Sequence, residues 1–335
     1  MTLAFICGCA GTALNAEERA FIRQNQPWGL ILFKRNVADR AQMRALADSF
    51  RDIVGRSDAP VLIDQEGGRV QRMGPPHWQA YPSAANFGAL EDQGGAIAAA
   101  RLAARLIAHD LSEVGINVDC TPVLDVAQPG MHAAIGNRSW SSDPARVTAF
   151  GRAVAEEMLA GGIAPVIKHI PGHGRATVDS HLELPLVEAS RAELAAHDFA
   201  PFKALADLPM AMTAHVVYRA IDAERPATQS RIIVDEIIRG AIGFDGLLLS
   251  DDLSMKALGG PFAERTAAVF AAGVDIALHC NGDLTETREV AASSPKLAGE
   301  TLRRARAALA RIAAGPQPFD VEAARARLAA AFEPA

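Results

Sequence analysis

Ala164-Pro165-Val166-Ile167-Lys168-His169-Ile170-Pro171-Gly172-His173-Gly174-Arg175-Ala176-Thr177-Val178-Asp179-Ser180-His181 begins as an apolar run and ends as a loop crowded with ionisable groups. Ala164 to His169 reads as a strand buried on both faces, because short apolar runs without polar alternation belong to parallel sheets covered by helices. Pro171, Gly172 and Gly174 then break regular structure, and such a loop can hold polar side chains in fixed directions over a cavity. Packing alone would not select three histidines, a lysine and an aspartate within fourteen residues.

The same kind of apolar run occurs eight times: Leu3 to Cys7, Gly29 to Phe33, Pro60 to Asp64, Asn117 to Pro122, Ala164 to His169, Met210 to His215, Gly246 to Asp251 and Asp275 to Cys280. Amphipathic, Ala-rich segments lie between them and predict helices at Ala16 to Gln24, Asp39 to Val54, Gly95 to Val114, Pro144 to Ala160, Arg191 to Ala206, Ile232 to Ile242 and Pro261 to Ala272. Strand and helix alternating eight times predict an α/β fold, a single-domain (β/α)8 TIM barrel. Residues 284–335 read as extra C-terminal helices (Leu284 to Val290, Pro295 to Ala313, Val321 to Phe332) packed on the barrel, so that residues 1–335 form one catalytic domain. The longest connection, Gly67 to Gln93, is expected to extend the rim of a pocket.

Polar residues gather at one end of these runs. Asp64, Lys168-His169, His215, Asp251-Asp252 and His279 with Asn281 stand at strand ends, and Lys34-Arg35-Asn36 follows the second strand. Of the eight starting positions only Asn117 and Asp275 are polar. Active sites of such barrels form at the carboxyl ends of the strands, so the asymmetry predicts one polar pocket at one mouth.

Half of the chain (50%) is apolar and its net charge is -6 with both signs interspersed, which leaves no cationic stripe for nucleic acid. Cys7, Cys9, Cys120 and Cys280 lie in or beside apolar runs, fitting reduced thiols and a cytoplasmic protein. Met1 to Leu14 is mostly apolar, but no Lys or Arg precedes it and Glu17 and Glu18 follow, a poor fit to a signal peptide. No apolar run approaches the ~18 residues of a membrane span. A monomer without membrane or nucleic-acid partners is expected.

Two chemistries compete for the pocket. His169, His173, Asp179 and His181 are metal-ligand types, but the i, i+4 spacing of the first two pairs ligands only on a helix, which Pro171 and Gly172 preclude. No metal or other cofactor is therefore expected. Retaining glycoside cleavage needs a carboxylate nucleophile and a proton donor. Asp251 or Asp252 can supply the first; alternation along a strand turns only one of them to the pocket, and spacing alone does not say which. Asp252 could instead cap the helix that follows. His181, steadied by Asp179, can donate a proton and take it back. Asp64 can accept from sugar hydroxyls, Lys168 and His169 can donate to them, and Arg72 and Arg138 can reach in from loops.

Four segments, Ile63-Asp64-Gln65-Glu66-Gly67-Gly68-Arg69-Val70-Gln71-Arg72, Gly136-Asn137-Arg138-Ser139-Trp140, Lys168 to His181 and Ser250-Asp251-Asp252-Leu253-Ser254-Met255, together resemble glycoside hydrolase family 3, within it the bacterial β-N-acetylglucosaminidases. The resemblance implies that Asp251 is the nucleophile, that His181 assisted by Asp179 is the acid/base, and that Asp64, Arg72, Arg138, Lys168 and His169 bind the sugar. It further implies a small-molecule carbohydrate substrate, an N-acetylglucosaminyl anhydro-muropeptide of peptidoglycan recycling. Trp140 stands where Phe is more usual, a change expected to be tolerated. A family 3 phosphorylase, a β-glucosidase of the same fold, or a sugar-binding protein without turnover are the competing readings.

Overall fold

The buried side chains of the eight apolar runs divide into two sets that alternate along each strand. The computed structural model describes residues 1–178 and 184–333. Its strands β1 (Leu3–Cys7), β2 (Pro27–Leu32), β3 (Val61–Ile63), β4 (Val118–Asp119), β5 (Ala164–Ile170), β6 (Met210–Thr213), β7 (Leu247–Asp252) and β8 (Ile276–His279) are parallel neighbours in sequence order, and β8 closes onto β1. Ile6, Ile31, Leu62, Val118, Val166, Met210, Leu247 and Ile276 pack together inside the cylinder, and Phe5, Leu30, Ile63, Ile167, Ala211 and Leu248 join the layer between cylinder and helices. This is the period of two that a pleated strand imposes when both faces are covered. The predicted (β/α)8 barrel is therefore the observed architecture.

β4 is shorter than expected. Pro122 has no N–H to give the ladder, yet its carbonyl accepts from Lys168 N–H at 3.2 Å and Leu124 N–H donates to Lys168 O at 2.7 Å. The pairing with β5 thus continues irregularly past the proline.

Of the helices, α1 (Ala16–Asn25), α2 (Arg40–Val54), α3 (Gln93–Glu113) and α4 (Pro144–Ala160) match expectation within two residues. Asn15, Asp39, Asp92 and Asp143 each cap a helix start with a side-chain oxygen. The helix predicted over Arg191 to Ala206 is instead two, α5 (Arg191–Ala196) and α6 (Ala200–Ala204). Pro201 would clash with the carbonyl of His197 in a continuous helix, and the chain breaks there. After α7 (Ile233–Ala241, wound as a π-helix), α8 (Phe262–Ala272) and α9 (Leu284–Ser293), α10 spans only Gly299–Ala310. The residues before it are held against β1, with Ala4 N–H donating to Pro295 O and Leu297 N–H to Thr2 O. Helix α11 (Val321–Ala330) buries Ala324 and Leu328.

The long connection after β3 opens with an antiparallel pair, Gln65–Gly67 with Val70–Gln71. Gly67 and Gly68 turn it at φ +94° and +59°, and a Cβ on Gly67 would stand 2.4 Å from Pro82 O. Only glycine fits that turn. Trp140, after β4, is buried, stacks on Phe150 with centroids 4.9 Å apart and donates from Nε1 to Val123 O.

Candidate active site

Following the inward set of each strand one step beyond its last apolar residue leads to the carboxyl mouth. Leu62 is followed by Asp64, Val166 by Lys168, Leu249 by Asp251 and Leu278 by Cys280, and these four line one cavity of about 310 Å³. Its rim comes from two loops: Arg69, Val70 and Arg72 after β3, and Ala134, Ile135 and Arg138 after β4. The connection expected to extend the rim does so.

Five charged groups form a continuous lattice on one side. Lys168 Nζ lies 2.8 Å from Asp64 Oδ1 and 2.7 Å from Glu66 Oε1. Arg72 donates to Asp64 Oδ2 at 2.8 Å and stacks over the Phe33 ring. Arg138 grips Glu66 with both prongs, Nε to Oε2 at 2.8 Å and Nη2 to Oε1 at 2.7 Å, the fork geometry that makes such pairs strong. Burial opposes ionisation of Glu66, but Arg138 and Lys168 outweigh it and bring its pKa to about 2. Asp64 goes the same way through Lys168 and Arg72. Burial likewise penalises the Lys168 ammonium, and the two carboxylates reverse that, holding it charged.

Asp119 belongs to the same neighbourhood and behaves oppositely. Its Oδ1 accepts from Gln65 N–H at 2.9 Å, while Oδ2 is buried with no hydrogen-bond partner among the described residues. Burial pushes its pKa up to about 8, past the opposing pull of the Gln65 N–H and Lys168.

Asp125 organises the histidines. Fully buried, it accepts from His169 N–H at 3.1 Å and His173 N–H at 2.7 Å, and its Oδ2 lies 2.7 Å from His169 Nδ1. That contact fixes which ring nitrogen faces away from it. Burial disfavours the Asp125 anion, but the two histidines bring its pKa down to about 2. Burial lowers His173 to about 4.

The paired aspartates of β7 have separate tasks. Asp252 Oδ1 accepts from Ser254 N–H and Cys280 N–H, and Oδ2 from the Ser254 hydroxyl at 2.5 Å. These bonds tie the end of β7 to β8 and to a turn, not to a helix start as the sequence suggested, since α8 begins only at Phe262. Asp251 accepts only the N–H of Asp252 among the described residues. Burial raises its pKa, but the imidazoles of His215 and His169, that N–H and the Lys168 ammonium prevail and hold it lowered.

The expectation that only one aspartate would face the pocket is corrected, because both line it. The pairing of β7 with β8 shifts register between Leu249 and Asp252, which breaks strict alternation. The same irregularity between Lys168 and Ile170 lets Lys168 and His169 both line the cavity.

The structure thus gathers Asp64, Arg72, Arg138, Lys168, His169 and Asp251 around one space. Asp179 and His181 lie outside the described residues. Other polar strand ends serve the frame instead. His215 bonds Thr228 and the Asp252 carbonyl, and His279 pairs with Glu286 and Thr287. Asn36 donates to Cys9 O, and Arg35 to Cys9 O and Cys280 O. Sequence reasoning missed the parts of Glu66, Asp125 and Asp119. Glu66 shares the parity of Asp64 within the Ile63 to Arg72 segment, whereas Asp125 lies past Pro122, beyond the apolar run of the fourth strand.

An ionised carboxylate at the floor, facing a lattice of donors and acceptors at fixed spacing, suits a polyhydroxylated ring. A sequence model described as the glycosyl hydrolase family 3 N terminal domain matches residues 4–314. A protein of Methylococcus capsulatus named beta-hexosaminidase is 42% identical over 275 residues, covering 81% of this chain and 80% of its own. One of the same name from Xanthomonas campestris pv. campestris is 37% identical over 306 residues, covering 90% and 89%. The crystal structure of NagZ from Neisseria gonorrhoeae in complex with N-trifluoroacetyl-D-glucosamine aligns with a TM-score of 0.88 at 32% identity, over 99% of this chain and 98% of that one.

Proposed function

The chain belongs to glycosyl hydrolase family 3 and is a glycoside hydrolase, and on that footing we propose that it is a retaining β-N-acetylglucosaminidase that removes terminal N-acetylglucosamine. The single observation that carries this is the ionised Asp251 carboxylate lining the same cavity as the lattice of Asp64, Lys168 and Arg72. The beta-hexosaminidase relatives and the glucosamine-derivative complex of the Neisseria protein support the choice of sugar.

In the first step Asp251 attacks the anomeric carbon, the bond to the leaving oxygen breaks, and His181 gives that oxygen its proton. In the second, His181 takes a proton from water, the oxygen of that water bonds to the anomeric carbon, and the Asp251 ester opens. Two inversions leave the configuration retained. Asp179 orients His181. Asp64, Arg72, Arg138, Lys168 and His169 hold the ring, with Glu66 fixing two of the cations and Asp125 fixing His169. Residues 1–335 act as one catalytic domain of a cytoplasmic monomer, and the natural substrate is a peptidoglycan-derived anhydro-muropeptide released during cell-wall recycling.

A panel of p-nitrophenyl glycosides, run with and without inorganic phosphate, tests the proposal. The N-acetylglucosaminide should be cleaved fastest, with free sugar as product in both buffers. Preference for the glucoside would make the protein a β-glucosidase, and sugar-1-phosphate a phosphorylase.

A further inference from the structure

A second cavity among the described residues is larger than the candidate active site. It lies at the opposite mouth of the barrel, between the starting ends of β2 and β4 and helix α10, and measures about 970 Å³ against about 310 Å³. Apolar side chains form part of its wall: Trp28 and Ile116 on the barrel side, Leu297, Leu302, Leu309 and Ile312 on the helix side. Leu297, Leu309 and Ile312 are only partly buried although they pack on the cylinder's core. Leu297, Leu302, Leu309 and Ile312 thus keep part of their apolar surface open, and a hydrocarbon tail could cover it.

Charge at the cavity says what would cover it. Arg51, Arg56, Lys296 and Arg306 line it, and among the described residues Asp58 is the only acid that does, in a chain whose net charge is -6. Arg56 spends Nη2 on the carbonyls of Pro27 and Trp28, at 2.6 and 3.2 Å, while its Nε is buried without a hydrogen-bond partner among the described residues. An unmatched buried N–H lacks an acceptor and costs about 1–3 kcal/mol. Lys296 and Arg306 are exposed, and no acidic group pairs with either among the described residues.

We propose that this basal cavity binds a single-chain anionic amphiphile of the long-chain carboxylate class, its tail against α10 and its head at the cationic rim. The site is separate from the hydrolytic one and does not depend on the sugar specificity argued above.

Isothermal titration of the intact protein with dodecanoate, methyl dodecanoate and acetate, each below its micelle-forming concentration, tests this. Dodecanoate should bind saturably at one per chain, its uncharged ester about tenfold more weakly, and acetate not at all. Ala310→Trp, at an exposed position on the cavity wall, should abolish binding by filling the space. Lys296→Glu combined with Arg306→Glu should weaken dodecanoate about tenfold and leave the ester unchanged. Thermal unfolding and glycoside turnover should stay as in the parent for both variants. Equal binding of acid and ester, unaltered binding in the variants, no saturable binding, or a concentration-dependent dimer that occludes the cavity would each overturn the proposal.

Discussion

Two neighbouring aspartates illustrate how much hangs on a single residue's direction. Among the described residues Asp251 accepts one hydrogen bond, whereas Asp252 accepts three that join β7, β8 and the following turn. Asp251→Ala should reduce turnover by about 10⁴-fold or more while the circular dichroism and melting temperature stay close to the parent's. Asp252→Ala should instead lower stability by about 1–3 kcal/mol, seen as a drop in melting temperature. If Asp252→Ala were the dead enzyme and Asp251→Ala merely unstable, the roles would have to be exchanged. Spacing alone leaves Asp251 and Asp252 undecided, and the sequence carries no sign of the register shift at the end of β7, where both come to line one cavity. A bulge is decided by pairing with the next strand, and that partner lies far along the chain.

The element with most influence on the site is the short hairpin after β3, whose Gly67 and Gly68 place Glu66 between Lys168 and Arg138. Glu66→Gln keeps the shape but leaves two buried cations short of one anion. Steady-state kinetics should register this as a rise in KM of about tenfold with kcat changed far less. An equal fall in kcat with KM unchanged would mean that Glu66 acts on the reaction step and not on the sugar cradle. Elements with strong periodicity, such as α2, α4 and the eight strands, were legible because one face repeats throughout. The break between α5 and α6 has a local sign in Pro201, although the apolar pattern runs on through it. The pairing of residues before α10 with β1 left no local trace, because it joins opposite ends of the chain.

Across the whole molecule, buried ionisable groups pull stability with pH in two directions. Glu66 and Asp125, at about 2, lie below their usual ~4; their contribution is complete above ~4 and is lost as pH falls through about 2. His173, at about 4, is neutral in the fold, so stability also falls as pH drops from ~6.5 toward that value. Asp119, at about 8, acts in reverse: the folded state keeps a proton that the unfolded chain releases, and stability is lost as pH rises from ~4 to about 8. Melting temperatures across roughly pH 4 to 9 for the parent and Asp119→Asn, which retains an oxygen for the Gln65 N–H, should diverge in the variant's favour up to about 8 and then run parallel. A constant difference would show that Asp119 does not hold its proton.

The cylinder is plugged by its own side chains, with Ile6, Ile31, Leu62, Val166 and Ile276 among those closing it below the carboxyl mouth. The candidate site is consequently a cul-de-sac. A glycan cannot thread through it. Whatever enters must leave by the doorway through which it came.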